Sequence, residues 1–412
     1  MATSAWVTAI GALILRLAYF LYMAHLIPPA VLASVPFQNE VGNVGAALAQ
    51  GQGFCCLFRQ ATGPTAWLAP VYPLLVAGIF KIFGTFKLRS FYAAVSVNCI
   101  FSALATIPLV YAGKRVGGAR TAAIAGWIWA IFPTGVVLPF EWIWDTSLSV
   151  LLAAALLWST LELKDSSKKR DFGFYGLLWG VLLLTNPALG ALFPFLLGWI
   201  LYQHRGRRPQ WVRLGLLTCA VALLTCLPWN LRNYMQFHRV IPLRSNFPYE
   251  LWSGNNEIFD EHSREVNRIT RYEQVHLYAE RGENRFLEDK LHEALTFIRT
   301  HPGLYAQLFG RRIMATWLGT ESPWEDFQTS DSYFVRLILA WNAVALVGMI
   351  AGLVRLYVRR TYFFPVASFP LIFPLTFYIA HTTLRHRHPC DPILALLIAV
   401  AVSGTQQRIA AK

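Results

Sequence analysis

The sequence predicts an all-α polytopic membrane protein. Of its 412 residues 55% are hydrophobic and only 14% are charged, and apolar runs recur along the whole length with short basic segments between them. In a chain of this composition the bilayer, rather than a soluble core, organises the apolar runs. We therefore expect about ten transmembrane helices, interfacial juxtamembrane helices and a small, mostly helical outer cap.

Charge and cysteine usage exclude other classes. The formal net charge is +14, but the basic residues lie largely between apolar runs, where membrane topology explains them, so we expect no nucleic-acid partner. The six cysteines are scattered, without the paired C-x-x-C spacing of a metal or redox site. The adjacent Cys55 and Cys56 are interpreted as packing residues.

The first predicted span covers residues 6–25. Arg16 interrupts its apolar core, so we interpret the segment as a retained helix rather than a signal peptide. An Arg at that depth costs at least about 2.5 kcal/mol unless it is paired or reaches the interface. A structural ion pair and a contact with a lipid phosphate both remain open for Arg16.

The first outer loop, residues 26–89, follows. Asn39 is placed to cap a helix that begins at Glu40, and Gly51 is placed to end it. The apolar segment Pro70–Gly84 is short for a span, and we place it along the outer interface. With that choice four later basic clusters all face the cytoplasm, as the positive-inside rule requires.

Further spans are predicted from the remaining apolar runs. They are residues 90–112, 121–139, 147–163, two short spans within 172–203 that turn at Asn186-Pro187, 213–230, 334–354, 362–380 and 390–405. Both termini are then cytoplasmic. The expected organisation is a membrane domain (1–230) with a second outer loop (140–146), an extracytoplasmic cap (231–333) and C-terminal transmembrane helices (334–412).

The cap is predicted from a change in composition. Fifteen of the 22 acidic residues lie between residues 232 and 331. A helical pattern runs from Glu283 to Arg299 and is closed by His301-Pro302. The segment Phe309–Met314 is expected at the membrane interface.

Carboxylates at the outer membrane face are the candidate catalytic groups. Outside the cap, the predicted topology puts Glu40, Glu141, Asp145 and Asp391 on that side, and Glu40, Glu141 and Asp145 stand out. If F-E-W-I-W-D is helical, the i, i+4 spacing puts Glu141 and Asp145 on one face. Asp145 as a helix cap and Glu40 as a favourable first-turn acid are the open alternatives.

Cations and aromatic residues on the same side are candidate binding groups. Arg232, Arg244, Arg385 and Arg387 share the outer face, and an Arg fork suits a phosphate. His381, His386 and His388 lack the ligand arrangement of a metal site, so we expect no metal. The aromatic candidates for a sugar site, or alternatively for an interfacial aromatic belt, are Tyr72, Trp67 and Trp252.

Several stretches together resemble a known family. They are the acidic outer helix, P-T-A-W-L-A-P-V-Y-P with the short helix ending in F-G, the basic K-R-V-G-G, and P-W-N-L-R-N leading into P-L-R-S-N-F-P-Y-E-L-W-S-G-N-N. Over most of its length the chain resembles the polytopic glycosyltransferases of the GT-C type. More narrowly, it is similar to the dolichyl-phosphate-mannose protein mannosyltransferases (glycosyltransferase family 39) and the aminoarabinose transferases of lipid A.

The resemblance implies an activity. It is the inverting transfer of a sugar from a polyprenyl-monophosphate donor to a protein, lipid or glycan acceptor on the outer face of the cytoplasmic membrane. The family's catalytic base maps onto Glu40, where this chain has Asn39-Glu40 in place of the frequent Asp-Glu.

The resemblance also implies further site residues. The second acidic site maps onto Glu141 or Asp145, which remain unseparated. Arginines that hold the donor phosphate map onto Arg232, Arg244 or Arg387, and we add Asn39, Arg385 and Tyr72 to the expected substrate contacts. Because the lipid carrier delivers the sugar from within the membrane, neither a cofactor nor a divalent metal is expected.

Two other function classes remain as alternatives. In a transporter or flippase of lipid-linked sugars, the same acids and arginines serve binding rather than chemistry. Such a protein is expected to show inverted repeats, and none is visible in this sequence. The large outer cap alone suggests a non-catalytic assembly protein of the envelope.

Overall fold

The computed structural model of the protein describes residues 4–58, 60–206, 210–256, 272–320 and 333–403. Within these ranges the chain folds into helices joined by short segments. They contain no β-strand, and the pairing of Cys55 with Pro64 is an isolated bridge. The predicted all-α class is confirmed.

The helices are numbered in chain order. They are α1 Ala5–Leu26, α2 Pro29–Ser34, α3 Glu40–Ala49, α4 Val71–Phe83, α5 Leu88–Leu104, α6 Thr106–Ala130, α7 Pro133–Glu141, α8 Thr146–Leu163, α9 Lys169–Leu183, α10 Phe193–Gln203, α11 Gln210–Phe237, α12 Phe247–Gly254, α13 Tyr272–Thr300, α14 Pro302–Leu318, α15 Tyr333–Arg359, α16 Phe363–Ile372, α17 Leu375–Ile379, α18 Leu384–Arg387 and α19 Asp391–Val402.

Five helical stretches of the described chain are long and apolar enough to cross a membrane. They are Ala5–Leu26, Leu88–Glu141, Thr146–Leu163, Gln210–Phe237 and Val335–Arg359. Shorter apolar helical segments accompany them, at Val71–Phe83, Pro187–Gln203 and Phe363–Ile379. The chain is a multi-pass membrane protein, while the number of ten spans stays a prediction.

The stretch from Leu88 to Glu141 contains a hairpin. Its 54 residues would extend about 80 Å as one helix, far more than the apolar thickness of a bilayer. The chain turns at Gly118, whose φ is 82°. A Cβ on Gly113 would lie 2.9 Å from the Cα of Ala122, so the two halves of α6 pack closely. This turn matches the predicted basic loop between two spans.

Arg16 is buried by polar groups of the bundle. Its guanidinium donates to Ser102 Oγ at 2.8 Å and to the carbonyls of Ala12, Ala130 and Trp129. The carbonyls of Ala130 and Trp129 belong to the last turn of α6, where helix carbonyls lack internal donors. Among the described residues Arg16 has no carboxylate partner, so it satisfies a helix end rather than forming the ion pair considered above.

The predicted helix that begins at Glu40 is confirmed, while its outer location stays a prediction. Asn39 Oδ1 accepts from the amide of Gly42 at 2.8 Å, and α3 begins at Glu40. Helix α3 packs tightly on α4, because a Cβ on Gly45 would lie 2.7 Å from Val76 Cγ1. Helix α4 has 13 residues, about 20 Å, which is short of the roughly 30 Å apolar thickness of a bilayer. Its interfacial position stays a prediction.

The segment F-E-W-I-W-D is not one helix. Helix α7 ends at Glu141, and Trp142 is extended, so Glu141 and Asp145 do not share a helix face and that interpretation is wrong. Pro139 has no amide to donate to Gly135, and the Gly135 carbonyl accepts from Ser102 Oγ instead. The proline thus weakens the last turn of α7 and lets the chain leave the helix.

The break at Asn186-Pro187 lies where it was predicted, between α9 and a 3-10 turn that leads into α10. In the cap, the predicted helix from Glu283 follows a kink in α13 at Gly282, whose φ is 72°. The predicted interfacial segment Phe309–Met314 lies within α14. Outside the described residues lie Arg207, Arg208, the cap segments 257–271 and 321–332, and the end of the last predicted span.

Candidate active site

A cleft forms where four distant parts of the chain meet. They are the start of α8, the break at Asn186, the segment 244–250 and the segment 376–389. Among the residues that line the cleft are Trp144, Asp145, Arg244, Glu250, His381 and Arg385. Because these parts are far apart in the sequence, only the tertiary fold assembles this site.

Two arginines give the cleft its positive charge. Arg244 and Arg385 are both half-buried, and neither guanidinium forms a hydrogen bond or ion pair with a described residue. The Arg385 guanidinium instead lies over two indole rings, 4.3 Å from the centre of Trp142 and 5.0 Å from that of Trp144. Both arginines therefore keep their donors available to an anion.

Asp145 is the carboxylate of the cleft. It accepts from Ser149 Oγ at 3.0 Å and makes no capping bond with the backbone of α8, so the cap interpretation is not observed. Burial raises the pKa of Asp145, and the charges of Arg244 and Arg385 oppose that rise. A carboxylate held beside two cations keeps their side chains turned toward the cleft.

Glu40 lies beside this cluster, at the first position of α3. Burial raises the pKa of Glu40 above that of an ordinary glutamate, whereas Arg385 lowers it and Glu250 raises it further. Arg385 thus interacts electrostatically with Asp145, Glu250 and Glu40 together, in that order of strength. The cleft brings together Asp145 and two of the four predicted arginines, and Glu40, which does not line the cleft, interacts electrostatically with Arg385.

A Glu–His pair was not predicted. His381 Nδ1 lies 3.3 Å from Glu250 Oε2, and Asn246 Nδ2 donates to Glu250 Oε1 at 2.7 Å. Burial lowers the pKa of His381, with Glu250 opposing that change. Glu250 was set aside with the acids of the cap, although it lies in the stretch P-Y-E-L-W that carries the resemblance. Its position in that stretch could have identified Glu250 as a candidate site residue.

Arg232 lies away from the cleft. Its guanidinium donates to the carbonyls of Phe54 and Thr65, at 2.7 Å each. These bonds join the end of α11 to the predicted first outer loop, so the donors of Arg232 are used in hydrogen bonds within the protein. Donor binding by Arg232 stays a prediction that no contact in the cleft supports.

Arg387 is fully buried two residues beyond Arg385. It donates to Asp391 Oδ1 at 3.0 Å, to the carbonyl of Trp317 at 2.8 Å and to Asn342 Oδ1 at 3.1 Å. His388 Nδ1 lies 2.8 Å from the second oxygen of Asp391. This network joins α14, α15 and α19, and Arg387 has no access to the cleft.

The remaining predicted residues also lie outside the cleft lining. Glu141 is exposed, and Asn39 serves as the helix cap. The Tyr72 hydroxyl is buried and donates to Asn98 Oδ1 at 2.8 Å. Trp67 and Trp252 pack in an aromatic cluster around Tyr249 beneath the cap. None of Tyr72, Trp67 and Trp252 lines the cleft, so a sugar site at these residues stays a prediction.

Comparison with known proteins gives this arrangement a family context. Residues 67–231, less than half of the chain, match the family model of the dolichyl-phosphate-mannose-protein mannosyltransferases. The resemblance to the GT-C type glycosyltransferases is confirmed. The matched region contains Asp145, whereas Glu40, Arg244 and Arg385 lie outside it. No curated protein sequence matches the chain.

A solved archaeal structure supports the same fold. The oligosaccharyltransferase AglB of Archaeoglobus fulgidus, in complex with an inhibitory peptide and a dolichol-phosphate, is 15% identical with a TM-score of 0.52, and the alignment covers 96% of this chain and 50% of that one. This chain therefore spans about half the length of the archaeal enzyme. ArnT from Cupriavidus metallidurans, in the apo state, is 16% identical over 94% of this chain and 77% of its own, with a TM-score of 0.38.

The prediction that no divalent metal takes part is corrected by a further structure. The oligosaccharyltransferase of Archaeoglobus fulgidus in complex with Zn and sulfate is 15% identical, with a TM-score of 0.53, over 96% of this chain and 48% of that one. The prediction rested on ligand spacing along the sequence, whereas in this fold acids meet from distant segments. Within the described ranges no three His, Cys, Asp or Glu side chains group as a metal site, so these residues alone do not fit one.

Proposed function

We propose that the protein is a membrane glycosyltransferase that moves a sugar from a polyprenyl-monophosphate donor to an acceptor on the outer face of the cytoplasmic membrane. The observation that carries the proposal is the pair Arg244 and Arg385, whose guanidinium groups face Asp145 in one cleft without a hydrogen-bonding partner among the described residues. The family model over residues 67–231 supports a donor of this class.

In the proposed reaction Glu40 is the general base. Its carboxylate takes the proton of the acceptor hydroxyl while the acceptor oxygen attacks the anomeric carbon of the donor sugar. The bond from that carbon to the phosphate oxygen breaks, which inverts the configuration and releases polyprenyl phosphate. A raised pKa suits this role, because a more basic carboxylate accepts the proton more readily.

Arg244 and Arg385 bind the donor phosphate and stabilise the negative charge that grows on it as the sugar leaves. Asp145, rather than Glu141, is the second acid, because it lies in the cleft and interacts with both arginines. Glu250 and His381 are placed to contact sugar hydroxyls from the other wall. These roles divide the cleft into a phosphate side and a sugar side.

The proposed orientation rests on charge. Basic residues that follow the spans cluster at the opposite ends of the helices from the cleft, as at Arg115, which pairs with Glu162 at 2.7 Å and Asp165 at 2.9 Å. The positive-inside rule then makes that end cytoplasmic. The cleft faces the outside, where a lipid-linked donor is delivered.

The test uses purified protein in liposomes with a panel of polyprenyl-phosphate sugars and candidate acceptors. We expect acceptor-dependent release of free polyprenyl phosphate and an inverted glycosidic product, both strongly reduced in the Arg244→Ala/Arg385→Ala double variant. Movement of the donor across the bilayer without release would instead identify a flippase. Release that is unaffected by the double variant would remove the cleft as the site.

A further inference from the structure

We infer that Glu283, in the outer cap, is a positioning residue that holds Arg244 in the cleft; this inference rests on the proposed role of Arg244 in donor binding. Glu283 lies in α13, directly after the kink at Gly282. It is only 5% exposed, although most acidic residues of a cap are expected to face water. A buried carboxylate requires hydrogen-bond donors.

Four donors surround the Glu283 carboxylate. Oε1 accepts from Ser245 Oγ at 2.7 Å and from the amide of Ala66 at 2.9 Å. Oε2 accepts from Thr65 Oγ1 at 2.5 Å and from the Tyr278 hydroxyl at 2.6 Å. One side chain of the cap thereby joins the first outer loop to the residue that follows Arg244 in the chain.

The same two segments are joined by backbone and charge. The amide of Ser245 donates to the carbonyl of Ala66 at 2.8 Å. Arg232, which binds the carbonyl of Thr65, also attracts the Glu283 carboxylate electrostatically. A positive charge near this buried carboxylate lowers the cost of burying it between the two loops.

The chain before Arg244 is held from the membrane side. Trp229 Nε1 donates to the carbonyl of Leu243 at 2.5 Å, Asn230 Oδ1 accepts from the amide of Leu243 at 3.1 Å, and Asn233 Nδ2 donates to the carbonyl of Ile241 at 3.2 Å. Leu243 has a φ of 68°, a strained value for a branched residue that surrounding contacts must enforce.

Arg244 therefore takes its position from its neighbours. Its guanidinium has no hydrogen-bonding partner among the described residues, while the backbone is fixed at Leu243 by α11 and at Ser245 by Glu283. Without the Glu283 contact, Ser245 is held only by the bond from its amide to the Ala66 carbonyl, so one of the two fixed points is weakened. The donor phosphate would then have to order the Arg244 segment on binding, which weakens binding rather than the chemical step.

Glu283→Gln tests whether the hydrogen bonds of the Glu283 carboxylate are needed. A glutamine keeps the size but replaces one acceptor oxygen with an NH2 group that donates. Thr65 Oγ1 already accepts from the amide of Trp67 at 3.0 Å, so an NH2 group at the Oε2 position would need its second lone pair and would turn the Thr65 hydroxyl hydrogen away from residue 283. The Gln variant therefore loses part of the network without creating a cavity. Ser245→Ala removes one bond from the Arg244 side only.

The experiment measures kcat, the KM for the polyprenyl-phosphate sugar and the Kd for polyprenyl phosphate. For Glu283→Gln we expect KM and Kd to rise about tenfold with kcat changed less than about threefold, and for Ser245→Ala a smaller change in the same direction. The matched control is Glu288→Gln, which lies on the same helix, is exposed and pairs with Arg239. It should leave all three values unchanged.

A double-mutant cycle separates positioning from general damage. In an Arg244→Ala background, Glu283→Gln and Ser245→Ala should have no further effect on KM or Kd. An effect of the same size in that background, or unchanged KM and Kd in an active wild-type context, overturns the inference. If Glu283→Gln does not fold, the Ser245→Ala cycle decides in the same way. A wild-type protein that neither binds polyprenyl phosphate nor transfers sugar overturns the proposed function itself.

Discussion

The guanidinium carbon of Arg385 lies 4.3 Å from the ring centre of Trp142. Trp142 is the first residue after α7, where the chain becomes extended. The break that separates Glu141 from Asp145 thus also creates the surface on which Arg385 rests. This contact orients a cation that has no hydrogen-bonding partner among the described side chains, and it is the basis of the first prediction.

Trp142→Ala is expected to weaken donor binding. The variant removes a cation–π contact at a partly exposed site, worth about 1 kcal/mol, so the KM for the donor should rise roughly fivefold with little change in kcat. Steady-state kinetics with varied donor measures this. Trp142→Phe keeps an aromatic face and should lie between wild type and Ala. An unchanged KM in the Ala variant would show that Arg385 does not need the indole.

Glu40→Gln is expected to abolish transfer while donor binding remains. The amide cannot accept the acceptor proton, and loss of a general base costs about 100- to 10,000-fold in kcat. Turnover and the Kd for polyprenyl phosphate are measured on the same preparation. Substantial activity in the Gln variant with a normal Kd would exclude Glu40 as the base.

Asp145 and Glu141 should differ in effect. Asp145→Asn removes the carboxylate that interacts with both cleft arginines, so we expect transfer to fall at least about tenfold. Glu141→Gln alters an exposed side chain outside the cleft and should keep most of the activity. The two variants are compared at equal expression and equal thermal stability. The reverse order of effects would reassign the second acid to Glu141.

The pH dependence of transfer should reflect the ionisation of Glu40. Burial raises the pKa of Glu40, and the charge of Arg385 lowers it. Because transfer needs the deprotonated base, kcat/KM should rise with pH through a limb that lies above the range of an ordinary glutamate, about 4.3. Arg385→Ala raises the pKa further, so its limb should move to higher pH.

Arg385→Lys serves as the control for that shift. It keeps the positive charge, so its limb should stay close to that of the wild type even where the lost bidentate geometry lowers activity. The profiles record kcat/KM for the acceptor at saturating donor, over a pH range in which the protein stays folded. A limb that stays in place, or moves to lower pH, in Arg385→Ala would contradict the assignment.

Substitution of Arg385 is expected to affect donor binding, whereas substitution of Arg387 is expected to affect stability. Arg387→Ala leaves the fully buried carboxylate of Asp391 without its main partner, and breaking a buried pair in this way costs about 3–5 kcal/mol. We expect a clearly lower Tm in detergent for Arg387→Ala. Arg385→Ala should keep the wild-type Tm and lose donor affinity. Equal loss of Tm in both variants would contradict the division of roles.

Local chemistry made much of the fold predictable. Asn39 caps α3 because its side chain reaches an amide three residues ahead, and Asn186-Pro187 breaks the hairpin because proline has no amide to donate. These signals act over a few residues, so they can be recognised in the sequence without knowledge of the tertiary structure. The interpretation of F-E-W-I-W-D was wrong because the effect of Pro139 is not only local. It also depends on Ser102, which lies in another helix and donates to the Gly135 carbonyl.

Hydropathy, charge and helix caps are local properties, so the sequence was enough to identify an all-α membrane protein and to name candidate acids and arginines. Tertiary structure decided which of these residues lie close together. The cleft combines Asp145, Arg244 and Arg385 from three distant segments. In contrast, the guanidinium of Arg232 donates to the Thr65 carbonyl and that of Arg387 to the Asp391 carboxylate. A guanidinium binds whichever acceptors packing brings within about 3 Å, and spacing along the chain does not fix those distances.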